Sequence, residues 1–132
     1  MFSSLKLIEG TQGQVWSFRK IDGRLFCAHT NGLLEILPDL HIRHPYRINT
    51  GVFRTLEATI NGKQIQIIIT YDELLILNRT TGELNSMRQI ADPIYNAEVD
   101  HLGNIWLETS SRGVYKCRLN DEQSAFRYYT YY

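Results

Sequence analysis

The sequence predicts an all-β fold, a partial β-propeller of about three four-stranded antiparallel blades, on three observations. Apolar residues alternate or run in short blocks broken by turn signals about every 8 to 12 residues, the pattern of strand after strand. Aromatic and β-branched residues fill the blocks, as in Val15-Trp16-Ser17-Phe18, Ile65-Gln66-Ile67-Ile68-Ile69 and Ile105-Trp106-Leu107. The segments that begin at Gly32, Glu73 and Gly113 recur at intervals of 41 and 40 residues. A period of about 40 with several strands per unit is that of propeller blades.

The chain then reads as one propeller segment, 1–132, with blades at about 13–49, 51–90 and 92–132. In the first unit the expected strands are Val15–Lys20, Arg24–Ala28, Leu33–Leu37 and roughly Tyr46–Ile48. Asp22-Gly23 supplies the positive φ of a tight hairpin between the first two. The second unit gives Phe53–Ile60, Gln64–Thr70, Leu74–Asn78 and Leu84–Gln89, with Asn61-Gly62 and Thr81-Gly82 as turns. The third gives Tyr95–Val99, Asn104–Glu108, Val114–Leu119 and Phe126–Thr130, turning at Gly103-Asn104 and Asn120-Asp121. Pro38, Pro45 and Pro93 fall at the ends of blocks or between them, where a missing donor does no harm. Residues 5–8, Leu5–Ile8, match the outer strand of a preceding blade whose other strands are missing.

Composition narrows the function. Hydrophobic residues are 43% and charged residues 21%, as in a globular protein with a real core. Fourteen basic residues balance fourteen acidic ones, so no long-range field favours nucleic acid or an anionic membrane. No apolar run approaches the roughly 20 residues of a spanning helix. The opening Met1-Phe2-Ser3-Ser4 lacks the charged and apolar regions of a signal peptide. Cys27 and Cys117 sit alone in strand-like runs and are expected as buried free thiols.

The third unit carries a specific pattern: Asp100-His101-Leu102-Gly103-Asn104-Ile105-Trp106-Leu107-Glu108-Thr109, then Gly113-Val114-Tyr115-Lys116. It resembles the two-component regulator propeller repeat, in which Asp, Gly-Asn, an aliphatic-Trp-aliphatic triplet, Thr and a later Gly stand in this order. The first unit is a weaker version, with Asp22-Gly23-Arg24-Leu25-Phe26 and Thr30-Asn31-Gly32-Leu33, so that Phe26 stands where Trp106 does. The second departs most, with Ile67 at that place and Glu73 where Gly is expected. The resemblance implies a propeller from the periplasmic sensor region of a bacterial hybrid two-component regulator, many of which respond to glycans. It implies a ligand-sensing role and a periplasmic location. Two alternatives share the same blade arithmetic: a protein-interaction scaffold, and a propeller-fold glycan-active enzyme.

No motif of catalysis stands out. There is no Gly-rich phosphate loop, no Cys-x-x-Cys and no His-Glu-x-x-His. The segment is therefore expected to have no catalytic residues, no metal site and no cofactor. His41 and His44 lie in a loop beside Pro45, and Asp100 reads as a turn residue. Trp106 and Trp16 are expected between blades, although either could stack on a sugar. A ligand site belongs at one mouth of the ring, where the loops into first strands and between second and third strands converge. The candidates there are His29, Asn31, Asn49, Tyr71, Asp72, Ser111 and Arg112, with Gln12 and Asp92 nearby. Plain solvated loops would have the same composition. The expected partners are a small ligand or glycan and, through open blade faces, a second copy; nucleic acid and membrane are not expected.

Overall fold

The computed structural model describes residues 5–110 and 113–131 and contains only strands and loops. Three four-stranded antiparallel sheets follow one another along the chain as the blades of a partial propeller. Blade 1 holds β1 (Val15–Ile21), β2 (Arg24–His29), β3 (Gly32–Ile36) and β4 (Ile42–Arg43). Blade 2 holds β5 (Val52–Ile60), β6 (Lys63–Thr70), β7 (Leu74–Asn78) and β8 (Leu84–Met87). Blade 3 holds β9 (Ile94–Val99), β10 (Ile105–Thr109), β11 (Val114–Leu119) and β12 (Phe126–Tyr131). Each sheet is a meander in which every strand pairs with its sequence neighbour. The first hairpins of blades 1 and 2 close on Asp22-Gly23 (φ 52° and 75°) and Asn61-Gly62 (φ 52° and 74°). Two consecutive positive φ values make the two-residue turn whose twist matches its strands.

Blade 3 turns differently. Asp100 caps its longer hairpin loop, accepting from the backbone N–H of Leu102 (3.0 Å) and Asn104 (2.9 Å) and from the Trp106 indole (2.9 Å). These donors hold the Asp100 carboxyl far below the usual carboxylate range, the Trp106 bond contributing most. Asp100 and Trp106 are thus joined to one another across the turn.

Blade 2 packs one face on blade 1 and the other on blade 3. Phe26, Ile67 and Trp106 occupy the same register, each three residues before the end of its second strand. Phe26 (1% exposed) closes the interface of blades 1 and 2 with Ala28, Leu33 and Ile68. Ile67 (0%) lies in the larger core between blades 2 and 3 with Ile69, Ile76, Ile105 and Leu107. Trp106 has the same orientation but is only partly buried, since it looks out from the last described blade, with Lys116 over its ring at 5.6 Å. Cys27 and Cys117 are buried free thiols; burial pushes Cys117 up to about 12.

Two expected strands lie elsewhere. Leu5–Ile8 is not a strand, and Leu5 and Leu7 are exposed; among the described residues no edge strand pairs with them. The following residues run along the outer side of blade 1, where Gly10 lies against Ile42 and the Thr11 carbonyl meets His29 Nε2 at 3.0 Å. The last strand of blade 1 is Ile42–Arg43, not Tyr46–Ile48. Glu35 decides this: its carboxylate is almost fully buried and takes Arg43 (2.8 Å) beside Arg24 (2.8 Å), drawing residues 42–43 onto β3. Tyr46 instead stacks on Phe26, with ring centroids 6.4 Å apart. Among the described residues no helix is long and apolar enough to cross a membrane.

Candidate functional site: an aromatic mouth on the innermost strands

The innermost strands β1, β5 and β9 carry the same irregularity. The ladder slips between Val15 and Ser17, between Val52 and Arg54, and in blade 3 between the partners of Ile94 and Asn96. In each case one extra residue bulges from the strand, and each time it is aromatic: Trp16, Phe53 and Tyr95. A bulge re-aims its side chain out of the alternating pattern. Here the three rings converge at one end of the sheets.

Phe53 is the centre. Trp16 meets it edge-on at 5.2 Å, Tyr95 edge-on at 5.2 Å, and Tyr71, from the β6–β7 loop, lies tilted on it at 4.6 Å. Such tilted and edge contacts are the favoured geometries of aromatic pairs. The Trp16 indole N–H donates to the Tyr71 hydroxyl at 2.8 Å, tying blade 1 to blade 2. The four side chains line an open cleft of about 610 Å³. Trp16 is 43% and Tyr95 46% exposed, so two large apolar rings face solvent where either alone would be unremarkable.

The backbone that presents these rings also repeats. Thr30 N–H donates to the Gln14 carbonyl (2.9 Å), Tyr71 to Gly51 (2.9 Å) and Ser110 to Pro93 (3.1 Å), each acceptor lying two residues before a bulged aromatic. Below the rings the same strands are charged. Arg19 grips Glu57 across blades 1 and 2, while Arg54 reaches Asn96, the Ala97 carbonyl (2.9 Å) and Glu98 (2.9 Å) in blade 3. The Arg19 hydrogen bond holds Glu57 below the ordinary carboxylate range.

Of the residues expected at the mouth, Tyr71 is the one that lines the cleft. His29 is fully buried and caps its own loop, Nδ1 accepting from Asn31 N–H at 2.9 Å while Nε2 faces the Thr11 carbonyl. Those partners put the proton on Nε2 and leave no nitrogen for a ligand. Asn31, Asn49 and Asp72 are exposed on the surrounding loops, outside the cleft lining. Ser111 and Arg112 lie outside the described residues. Trp16, expected between blades, is instead part of the open mouth, and Phe53 and Tyr95 join it. Among the described residues no group of three His, Cys, Asp or Glu side chains is placed to hold a metal ion.

Gly51 makes room for this arrangement. A Cβ built there would lie 2.3 Å from the Tyr71 ring, so any side chain must displace the tyrosine. The ring can swing outward, and Gly51→Ala is expected to keep the fold while releasing Trp16 from its hydroxyl partner. In a Trp106→Phe background, where Trp16 is the sole tryptophan, its emission should shift relative to the Gly51 parent. Unchanged emission would show that Tyr71 does not hold the indole.

No protein-family model and no curated protein matches this sequence. Among solved structures, the chain is similar to the extracellular domain of what is named a one component system of B. thetaiotaomicron, with a TM-score of 0.68 and 18% identity. The superposition covers 92% of this chain but 17% of that one, so the chain spans about a sixth of its structural neighbour. At that identity the likeness concerns the fold: a run of antiparallel sheets found within an extracellular domain.

Proposed function

We propose that this segment is a recognition part of a sensor propeller acting outside the cytoplasmic membrane, and that its aromatic mouth binds carbohydrate. One observation carries the reading: three successive blades each place a bulged aromatic residue at the same mouth, with Trp16 and Tyr95 open to solvent. Flat, partly exposed rings beside fixed polar groups suit a ligand with one apolar face and hydroxyls at its edge. The extracellular one-component domain to which the fold is similar supports a sensing role. The sequence likeness to two-component regulator propellers supports it from a separate side.

Binding without turnover is the expected outcome. A glycosidase needs one carboxylic acid held protonated. Glu57 and Glu98, on the strands that carry the rings, are ion-paired with Arg19 and Arg54.

The test is titration of the Trp106→Phe chain with soluble oligosaccharides of differing linkage, followed by Trp16 emission and by calorimetry. At least one class should bind, without being cleaved, and Trp16→Ala should weaken it about tenfold or more, as removal of a central aromatic contact does. Carbohydrate cleavage, or affinity for sugars that Trp16→Ala leaves intact, would overturn the reading, as would an absence of binding across the set.

A further inference from the structure

A cleft recurs between blades at the end of the sheets away from the aromatic mouth. There the turn joining first and second strands of one blade lies beside the turn joining third and fourth strands of the next. Between blades 1 and 2, Asp22 stands against Asn78, Arg79 and Gly82 around a cleft of about 170 Å³. Between blades 2 and 3, Asn61 stands against Asn120, Asp121 and Gln123 around one of about 250 Å³. Asp22 and Asn61 hold the same turn position with the same φ of 52°. Asn78 and Asn120 each cap their own turn through Oδ1. The scaffold is therefore shared, and the lining distinguishes the two clefts.

The lining of the first is cationic, and we infer that it is a binding site for a small hydroxycarboxylate. Arg24 and Arg79 both line it, against one carboxylate, Asp22. Glu35, the ion-pair partner of Arg24, is shared with Arg43, so three guanidinium groups face two carboxylates. The neighbouring Arg19–Glu57 pair adds no net charge. In the second cleft Lys63 and Asp121 balance, and the Lys63 ammonium is already held by the Asp121 carbonyl.

Each arginine of the first cleft keeps a donor for a ligand. Arg24 commits Nε and Nη2 to Glu35, while its Nη1 reaches only the Tyr46 hydroxyl, at 3.5 Å. Arg79 commits Nε to the Ile65 carbonyl (3.0 Å) and Nη1 to the Asp22 carboxylate (2.7 and 2.8 Å). Among the described residues its Nη2 has no acceptor. The Arg79 side chain is only 11% exposed, so it is held in place before any ligand arrives. A planar guanidinium fixed in this way suits a carboxylate oxygen. Gln66 supplies the complement: it is 1% exposed, and its amide nitrogen donates to Thr55 Oγ1 at 2.8 Å. Its amide oxygen has no donor among the described residues. Polar groups buried this deeply are almost always hydrogen-bonded, so this acceptor calls for an O–H in the cleft. Ile21, Phe26 and Leu77 close the rest with apolar surface. The volume is that of about six waters at roughly 30 Å³ each, room for a hydroxy acid of about three carbons. None of this depends on what the aromatic mouth binds.

Calorimetric titration with lactate and glycerate at fixed ionic strength tests the inference, with propionate as the control that lacks the hydroxyl. Saturable binding of one hydroxy acid per chain is expected, tighter than propionate by about threefold or more, the worth of one hydrogen bond. Arg79→Gln should weaken it about tenfold or more. Asp22→Asn should do the reverse and tighten it about threefold or more, by removing the carboxylate that competes for Arg79. That variant keeps the hairpin, since Asn61 fills the same position in blade 2, so the test survives even if Arg79→Gln unfolds. Lys63→Gln, in the second cleft, and Trp16→Ala, at the mouth, should leave binding unchanged. Absence of saturable binding, equal affinity for propionate, or an Asp22→Asn chain that binds no tighter would overturn the proposal. So would loss of binding in Lys63→Gln or Trp16→Ala.

Discussion

Replacing Phe26 by alanine should destabilise the chain by about 3–5 kcal/mol, the range for removing a fully buried aromatic side chain. Phe26 is the only ring fully enclosed between blades 1 and 2 among the residues of that interface core; Tyr46 stacks on it and the Arg24 guanidinium lies 4.9 Å from its centroid. Apart from the Trp16, Phe53 and Tyr71 contacts at the mouth, that core joins blade 1 to blade 2. A cavity there strikes the smaller of the two cores, whose remaining members are mostly aliphatic. Urea unfolding, followed by tryptophan emission and circular dichroism, measures the effect. Trp106→Ala removes a larger side chain from the same register, yet it should cost clearly less, because its face is partly open. A Phe26→Ala loss below about 1 kcal/mol, ordinary for surface positions, would mean that blades 1 and 2 are not held together as described.

That comparison also shows what the sequence made legible. The period of about 40 residues places Phe26, Ile67 and Trp106 in one register, and the ladder hydrogen bonds do the same. Hairpins were readable wherever two residues with positive φ were required, at Asp22-Gly23 and Asn61-Gly62. The outer strand of blade 1 was not. Tyr46–Ile48 has the stronger strand composition, but the choice was made by Glu35. Once β3 buries that carboxylate, a second arginine is needed beside it, and Arg43 rather than Tyr46 can supply one. Local pattern carries no information about which carboxylate will be buried.

The aromatic mouth was missed for a related reason. Alternation assigns each strand residue to one face, and a bulge shifts that assignment by one residue without altering composition. Trp16 therefore reads as core until the slip between Val15 and Ser17 is seen. A signal was nonetheless present: Val15-Trp16, Val52-Phe53 and Ile94-Tyr95 each set an aromatic residue after a β-branched one at the start of a first strand. Their spacings of 37 and 42 residues depart from the intervals of 41 and 40 because the loops entering the blades differ in length, which hides the repeat from a fixed period. Polar loop residues such as His29 drew attention instead, and His29 proves to be a loop cap.

Removing the guanidinium of Arg24 should cost about 1.5–3 kcal/mol at neutral pH, the worth of hydrogen bonds to a charged group. Glu35 is 4% exposed and receives Arg24 through Nη2 at 2.8 Å and Nε at 3.1 Å, with Arg43 as its other partner. Arg24→Ala leaves a buried carboxylate with one cation instead of two and also strips the guanidinium from the Phe26 ring. The partial exposure of Arg24 and the survival of Arg43 keep the loss below that of a fully buried pair broken outright. Lysine offers a point charge without the two-pronged geometry, so Arg24→Lys should recover only part of it. The pH dependence has a definite sign. Hydrogen bonding to Arg24 holds Glu35 below its ordinary value, so its stabilisation is complete above about pH 4.3, the unfolded glutamate value, and is lost as pH falls through the lower folded one. Asp100 and Glu57, also depressed, act in the same direction. Subtracting the Arg24→Ala profile from the parent's isolates the Glu35 share: the two unfolding curves should lie well apart at neutral pH and converge in acid. Equal stability at neutral pH, or a gap that persists unchanged into acid, would show that the Arg24–Glu35 pair does not anchor the outer strands of blade 1.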